Sequence, residues 1–566
     1  MNWRGTNAAL ALLFALPLAR IGAGEPVQFA AMFRDAAVFD EAIAKESFAT
    51  PSGHHVTGIT VPHHLLAADL IARGFRCAAG ENYERIILLS PDHFRRSRLP
   101  FATTSGTFET VFGEVRCDEA AVNSLLARCP KVAVSSLFEK EHGIHAVLPF
   151  IAKFFPQAKL LPVVLRVDSQ RDDWLSLSDA LAPLVDAKTL IVQSTDFSHY
   201  LRESEARRRD QQTLNVLALA DPELVMTLRQ PGHLDSKAAQ FVHMLLQKRI
   251  HQARPAVIAN RNSQAYVSFR QEQTTSYIVQ VFEPDDPPPP AWRLAAGEAT
   301  WFFAGDAFLG RRVASKLALP NRASAVRDAI LGITQGNPLA VNLEGVLVPA
   351  VSEDNRVQPL RLLMEEEFTV DWLKALNVKL ASLANNHSRD DGETGLARTA
   401  NAIAAAGIIA AREGELVDAG PFRAVALSDL SNTTSPRNGR ITREVISRLS
   451  SPEDAMPPLF ALLHWGAEFH PDPTPRQLEL LDWLSESPVT VALGAHPHVA
   501  SLGPQIWRNG DGLACFSLGN FLFDQQNGSG ALAEVRFFEN RTFALRWIPL
   551  GNLLYVTPPD ETTAFQ

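Results

Sequence analysis

The apolar run Val378–Leu383 stops abruptly in Asn385-Asn386-His387, with Asp390 and Gly392 close behind. A short apolar run of this kind reads as a buried strand. A strand that ends in amide and imidazole groups puts ligating atoms where open α/β sheets bind ligands, in the crevice at the carboxyl edge. Other runs in the same half of the chain end alike. Thr300–Ala304 leads to Gly305-Asp306, and Leu339–Val341 leads to Asn342-Leu343-Glu344-Gly345. Leu459–Leu463 leads to His464-Trp465-Gly466-Ala467-Glu468, and Val489–Leu493 to Gly494-Ala495-His496-Pro497-His498. This layout points to an α/β fold whose chemistry collects on one edge.

At 566 residues the chain is too long for one ordinary core. The segment Glu283-Pro284-Asp285-Asp286-Pro287-Pro288-Pro289-Pro290-Ala291-Trp292 continues neither a helix nor a central strand and predicts a stiff linker over 283–295. The expected domains are 25–282 and 296–560. A net charge of −9 with no basic stripe argues against a nucleic-acid partner. The N-terminus carries Arg4, an apolar segment Ala8–Ala19 and the small residues Gly22-Ala23-Gly24, the grammar of a signal peptide too short to span a bilayer. The expectation is export to the periplasm or cell envelope, with residues 1–24 a cleaved signal or, given Arg20, an N-terminal anchor. Four cysteines without a CxxC motif make neither a zinc ribbon nor a disulfide scaffold, although export would let Cys117 pair with Cys129.

In domain one, apolar runs alternate with helix-like segments, which suggests a largely parallel sheet with crossover helices. Polar groups follow several runs directly: Pro62-His63-His64, Ser90-Pro91-Asp92-His93 and Ser194-Thr195-Asp196-Phe197-Ser198-His199. Glu139-Lys140-Glu141-His142-Gly143-Ile144-His145 precedes an apolar stretch instead. Imidazoles suit first-row transition metals, and carboxylates complete such sites or orient the histidines. These segments together resemble the Memo family, also called AmmeMemoRadiSam system protein B, whose fold is similar to class III extradiol dioxygenases. The resemblance covers most of domain one. It implies metal ligands at His63 and His93, with His142, Asp196 and His199 lining the pocket. The family's third ligand is a cysteine, and the corresponding stretch here is Leu234-Asp235-Ser236-Lys237-Ala238-Ala239, which has none. Lys237 is the expected occupant. A protonated amine repels a metal, so the site takes a substitute such as Asp235 or His145, with Fe or Cu bound, or stays empty.

In domain two the spacing of His496 and His498 is informative. In an extended segment residues i and i+2 face the same way, so both imidazoles would meet one centre. A metal pair needs a bridging carboxylate and N/O ligands from several loops, and Asp306, Glu344, Asn386, His387, His464, His496 and His498 supply that chemistry without a thiolate. Taken singly, Asp306 reads as a helix cap and Asn386 as a turn residue; their shared place after strand-like runs favours a site. The motifs Gly305-Asp306, Asn342-Leu343-Glu344-Gly345, Asn385-Asn386-His387 with Asp390, His464-Trp465-Gly466-Ala467-Glu468, His496-Pro497-His498 and Ser517-Leu518-Gly519-Asn520-Phe521 look like the CapA family of poly-γ-glutamate capsule-biosynthesis proteins. That resemblance implies a calcineurin-like metallophosphoesterase fold, a four-layer α/β sandwich. It implies one or two divalent metals (Mn, Fe or Zn) held by Asp306, Glu344, Asn386, His464, His496 and His498. His387 and Asp390 would be catalytic, and Asn342 and Glu468 would line the pocket. Gly494-Ala495-His496 stands where the family often has Gly-His-His.

The expected function is a metal-dependent envelope hydrolase acting on a phosphoryl or acyl substrate in capsule or poly-γ-glutamate-type polymer metabolism. The alternatives are a non-catalytic protein that binds or exports an anionic polymer beside the polymer-synthesis machinery, and a Memo-type metal-dependent oxidoreductase.

Overall fold

The computed structural model describes residues 27–47, 53–293, 295–351, 361–430, 441–449, 456–525 and 528–555. The signal-peptide expectation falls on residues 1–24, outside them. Among the described residues no helix is long and apolar enough to cross a membrane.

Domain one is built on a nine-stranded sheet. Its strands are β1 (Gly58–Val61), β2 (Arg85–Asp92), β3 (Phe101–Thr103), β4 (Val132–Val134), β5 (Lys159–Arg166), β6 (Thr189–Ser194), β7 (Phe197–Leu201), β8 (Ala253–Asn262) and β9 (Thr274–Pro284). The order is β7-β9-β1-β6-β2-β5-β3-β4, with β8 also paired to β9. The central strands β1, β6, β2 and β5 run parallel, as expected from the alternation of runs and helices. The flanking strand β9 is antiparallel to β1, and β3 to β5. The middles of these central strands are continuous apolar runs, as in Ile86–Leu89, Leu160–Leu165 and Leu190–Val192, because both faces are covered. Ile86 and Leu88 join one buried cluster while Ile87 and Leu89 join the other, the period of two that a pleated strand dictates. Cys117 belongs to the first cluster and Cys129 to the second. The sheet separates them, so the expected pair does not form and all four cysteines are buried and unpaired.

Domain two packs two sheets face to face. The first contains β10 (Ala299–Ala307), β11 (Leu339–Leu343), β12 (Val378–Ser382) and β13 (Ile409–Ala411), parallel to one another. The second contains β14 (Leu416–Asp418), β15 (Arg423–Ser428), β16 (Leu459–His464), β17 (Val489–Ala495), β18 (Gln505–Trp507) and β19 (Gly512–Cys515), with β15, β16, β17 and β19 parallel. The short strand β20 (Asn520–Leu522) pairs with β10, and the hairpin β21 (Gly530–Phe537) and β22 (Phe543–Leu550) completes the first sheet on its far side. Phe303, Ala340 and Leu380 from one sheet meet Phe422, Phe460 and Leu493 from the other. Helices cover the outer faces: Val326, Leu373 and Ile403 pack on the first sheet, Leu480 and Leu484 on the second. The result is the expected four-layer sandwich.

The described residues between β9 and β10 form neither helix nor strand. Contacts nevertheless cross from one half to the other. The helix Glu203–Ala218 of domain one lies against β22 and the β18–β19 turn: Gln211 Nε2 donates to Phe543 O at 3.0 Å, Gln212 Nε2 to Asp511 Oδ1 at 2.7 Å, and Asn215 Nδ2 to Gly510 O at 2.8 Å. Ala218 joins the inter-sheet cluster of domain two, while Phe538 and Ala544 join a core cluster of domain one.

Candidate metal centres

In domain one the carboxyl ends of β1, β2 and β6 deliver His63, His93 and Asp196 to one rim. Leu234 bridges Phe197 and so brings Asp235 to the same place. His63 Nε2 lies 3.2 Å from Asp235 Oδ2 and 3.6 Å from Asp196 Oδ2, and His93 Nε2 lies 3.6 Å from Asp235 Oδ2. The His142 ring stands 4.1 Å from that of His93 and 5.3 Å from that of His63, between centroids. Burial opposes protonation of His93, but hydrogen bonds to Asp235 and Glu141 outweigh it and raise its pKa to about 10. Burial and the facing His93 and His63 push His142 the other way, to about 4. Asp235 is buried too, yet His63 and His93 hold its carboxyl well below the usual range. His199 sits near His64, and its Nδ1 is buried with no hydrogen-bond partner among the described residues.

Two expectations are corrected here. Lys237 does not occupy the third position. Ser236 caps the helix Lys237–Leu246 by accepting from Ala239 N, which puts Lys237 on its outer first turn, where Nζ donates to Met226 O at 2.9 Å. His145 is no substitute ligand either: its Nε2 lies 2.8 Å from Phe138 O and its ring packs on Phe108 in the core. Asp235 is the residue that meets both imidazoles. Two partners were not picked out as site residues, Glu141 and Ser194, which hold the other ring nitrogens of His93 and His63 at 2.6 and 3.1 Å. Their adjacency to His142 and Asp196 was the available signal.

In domain two the expected residues gather at the carboxyl ends of β10, β11, β12, β16 and β17. Asp306, fully buried near the end of β10, accepts from Asn342 Nδ2 at 2.8 Å and from the backbone N of His496 at 3.0 Å, and its Oδ2 lies 3.2 Å from His498 Nδ1. The same Asn342 amide lies 3.2 Å from His464 Nδ1, while His464 Nε2 is 2.8 Å from Asn386 Oδ1 and 4.0 Å from Glu344 Oε1. His387 Nε2 is 3.9 Å from Glu344 Oε1. Donor atoms of Asp306, Glu344 and His498 all lie within 4.8 Å of one another, as do those of Glu344, His464 and His496, and of Glu468, His496 and His498. Glu344 belongs to two of these sets. Glu468 reaches in from an exposed rim, and His470 is exposed. Asn520 was quoted in a motif but not chosen as a site residue; its Oδ1 accepts from His498 Nδ1 at 2.9 Å.

The extended geometry expected of His496-Pro497-His498 is not what forms. Both histidines have positive φ, 95° for His496 and 60° for His498. Such backbone persists only where the surroundings impose it, and here Asp306 holds the His496 N–H. The imidazoles still share the centre, with ring centroids 5.9 Å apart. The close approach behind them requires glycine: a Cβ on Gly305 would meet Gly519 O at 1.9 Å.

Burial and mutual contacts perturb the charge states of this rim. Burial, reinforced by Asp306, raises the pKa of Glu344 well above the ordinary value. Burial and His496 push His464 well below its ordinary value. His498 behaves oppositely: burial lowers its pKa, but Glu344 and Asp306 prevail and raise it to about 9. Glu344 Oε2 and His496 Nδ1 are buried without a hydrogen-bond partner among the described residues. Orphaned donor atoms of this kind, in an N/O set without sulfur, suit a divalent first-row ion.

The chain is thus a two-domain α/β protein, with imidazole and carboxylate donors gathered at the strand ends of each half. The first half is Memo-like and the second a metallophosphoesterase-like sandwich. Residues 36–281 match the family of Memo-like proteins, and residues 300–415 and 424–525 match bacterial capsule synthesis protein PGA_cap, so the chain is a Memo–PGA_cap fusion. A MEMO1 family protein of Caldivirga maquilingensis is 28% identical over 144 residues, which are 24% of this chain and 50% of that protein. The capsule biosynthesis protein CapA of Bacillus anthracis is 27% identical over 228 residues, 36% of this chain and 54% of that protein. The PGA biosynthesis protein CapA of Bacillus subtilis is 26% identical over 274 residues, 44% of this chain and 70% of that protein. The chain therefore spans only about half the length of the first two relatives.

Proposed function

We propose that domain two is a metal-dependent hydrolase of the cell envelope, acting on a phosphoryl or acyl bond of an anionic polymer or its precursor. The observation that carries this reading is the convergence of Asp306, Glu344, His464, His496 and His498 around buried donor atoms that lack partners. Asp306, Glu344, Asn386, His464, His496 and His498 would hold one or two divalent ions, Mn, Fe or Zn. A bound ion supplies the positive charge that polarises a phosphoryl or acyl oxygen. The protein's own groups do the rest. Asn342 fixes Asp306 and His464 through one amide, and Asn520 fixes the His498 ring. His387, its Nδ1 held by Asp390, presents Nε2 to the rim as the group that gives a proton to the leaving atom.

The envelope assignment rests on the signal-like N-terminal sequence and on relatives named for capsule and PGA biosynthesis. Those names, which refer to making polymer, favour a second reading in which domain two binds or exports the polymer beside the synthesis machinery. Turnover separates the readings. Full-length protein incubated with manganese and a generic phosphodiester or a γ-glutamyl polymer should release product, and His496→Ala and His498→Ala should abolish it. Retention of polymer without cleavage would establish the binding role instead.

A further inference from the structure

We propose that the mouth of the domain-one pocket is an anion-binding lip, where Arg95, Arg96 and Arg98 receive the phosphate-type group of a small ligand whose body lies across Phe94 toward His142. This depends neither on the hydrolase reading of domain two nor on a metal in domain one.

The lip is the segment Phe94-Arg95-Arg96-Ser97-Arg98, which follows His93 directly at the carboxyl end of β2. Phe94, Arg95, Arg96 and Arg98 are all exposed, Phe94 by 52%. Single exposed arginines are ordinary; three within four residues, beside a pocket and without counter-charge, are not. None of the three forms an ion pair or a side-chain hydrogen bond with a described residue, and Arg96 rests over the Phe94 ring with Cζ 5.5 Å from its centroid. Arg166, Arg171 and Arg249 of the same domain are matched by Asp168, Glu223 and Asp179. Two carboxylates close to the lip are already engaged. Asp168 takes the Arg166 guanidinium at 2.8 and 2.6 Å, and buried Asp92 accepts the backbone N–H groups of Arg96 and Ser97 at 3.0 and 2.8 Å. In a chain of net charge −9 this local surplus of cations is a departure.

The backbone of the lip is also fixed in advance. Besides the two bonds to Asp92, Arg166 Nη1 donates to Ser97 O at 3.3 Å and Ser97 Oγ to Leu99 O at 2.7 Å. Arg95 holds a left-handed φ of 52°, which persists only where such surroundings sustain it. Guanidinium groups carried on a preset backbone lose less freedom on binding, and their planar forks match phosphate oxygens. Three cations without partners suit a dianionic phosphate better than a monoanionic carboxylate. Phe94 joins the lip to the pocket: its ring stands 6.0 Å from that of His142 and 6.5 Å from that of His93, between centroids. His142 has 39% of its side chain exposed. A ligand anchored at Arg96 by its phosphate therefore lays an apolar or ring-shaped body on Phe94 and meets His142 beyond it.

The test is calorimetric titration of full-length protein with phenylphosphonate, a ring-bearing anion with no ester to cleave, and with inorganic phosphate. Combined Arg95→Gln, Arg96→Gln and Arg98→Gln substitution, with folding checked by circular dichroism, should raise Kd for both by about tenfold or more. Added salt should weaken wild-type binding. Phe94→Ala should weaken phenylphosphonate and leave inorganic phosphate unchanged, and His498→Ala in domain two should retain the arginine-dependent event. Phenylphosphonate binding that survives loss of the three arginines would overturn the proposal. So would an event that His498→Ala abolishes, since that places it at the other rim, or benzyl alcohol binding as tightly as phenylphosphonate, or a wild-type protein that binds neither anion.

Discussion

His387 Nδ1 stands 2.8 Å from Asp390 Oδ2, and that same oxygen accepts the backbone N–H of Leu362 at 2.6 Å. The carboxylate is thus pinned from behind and fixes the ring in turn. A proton donor held this way is worth about 10²–10⁴ in rate. His387→Ala should lower kcat by that order while metal per chain stays unchanged. Asp390→Asn keeps an acceptor for Leu362 but weakens the hold on the ring. It should give a smaller loss and move the basic limb of the pH–rate profile. Equal loss of metal in either variant would make these residues ligands, not proton carriers.

Glu344 stands in two of the candidate ligand sets. Its burial and the neighbouring Asp306 penalise its charge when no ion is bound. Adding Mn should stabilise the folded chain, by about 2.7 kcal/mol at one hundred times Kd, read as a rise in Tm that chelation reverses. Glu344→Gln removes the penalised charge, so the metal-free variant should be at least as stable as wild type and respond weakly to Mn.

Asp210 lies on the inner side of the helix Glu203–Ala218, fully buried, with Ser198 Oγ donating to it at 2.6 Å. Burial raises its pKa from 3.8 to about 7, against the opposing hydrogen bonds from Ser198, Ser276 and Asn260. Between those two pH values the folded state binds more protons than the unfolded state, so stability falls as pH rises through the window and levels off above it. The slope is on the order of 1 kcal/mol per pH unit. Urea denaturation of Asp210→Asn across pH 4 to 8 should show that slope flattened, since the amide keeps an acceptor for Ser198 and has no proton to lose.

Glu534 is fully buried on β21 between Arg536 and Arg546, with Oε1 2.7 Å from Arg536 Nη2 and Oε2 2.5 Å from Arg546 Nη2. Burial would raise its pKa, but the two guanidinium groups outweigh it and lower the value. Removing one member of such a cluster leaves buried charge uncompensated and costs about 3–5 kcal/mol. Glu534→Ala should therefore lose stability on that scale by chemical denaturation. Replacing all three residues with apolar side chains of matching volume should cost far less.

The strand ends of domain two were legible because each ligand follows an apolar run, as Asp306 follows Thr300–Ala304 and His464 follows Leu459–Leu463. The path of the chain through His496 and His498 was not. Both have positive φ, and the His496 N–H is held by Asp306, 190 residues away in sequence, so no local pattern announces the turn. The choice between Asp235 and Lys237 failed for a similar reason. Which of two nearby polar residues faces a pocket depends on where a helix begins, and that was decided by the Ser236 cap. The pairing of Cys117 with Cys129 failed because nearness in sequence says nothing about which face of a sheet a side chain takes.

Arg536 Nη1 donates to Val257 O in domain one, and Arg546 Nη2 donates to Pro289 O in the connecting segment, at 3.1 and 2.9 Å. The charge cluster of one half is therefore finished by carbonyls that belong to the other half and to the tether. A fusion closed in this way is hard to reverse in evolution. Shuffling either half to a new partner would strip those carbonyls from two buried arginines and leave Ala218, Phe538 and Ala544 facing water. Lineages that keep the seam should accept substitutions across it in compensating pairs, and the two halves should share one evolutionary history.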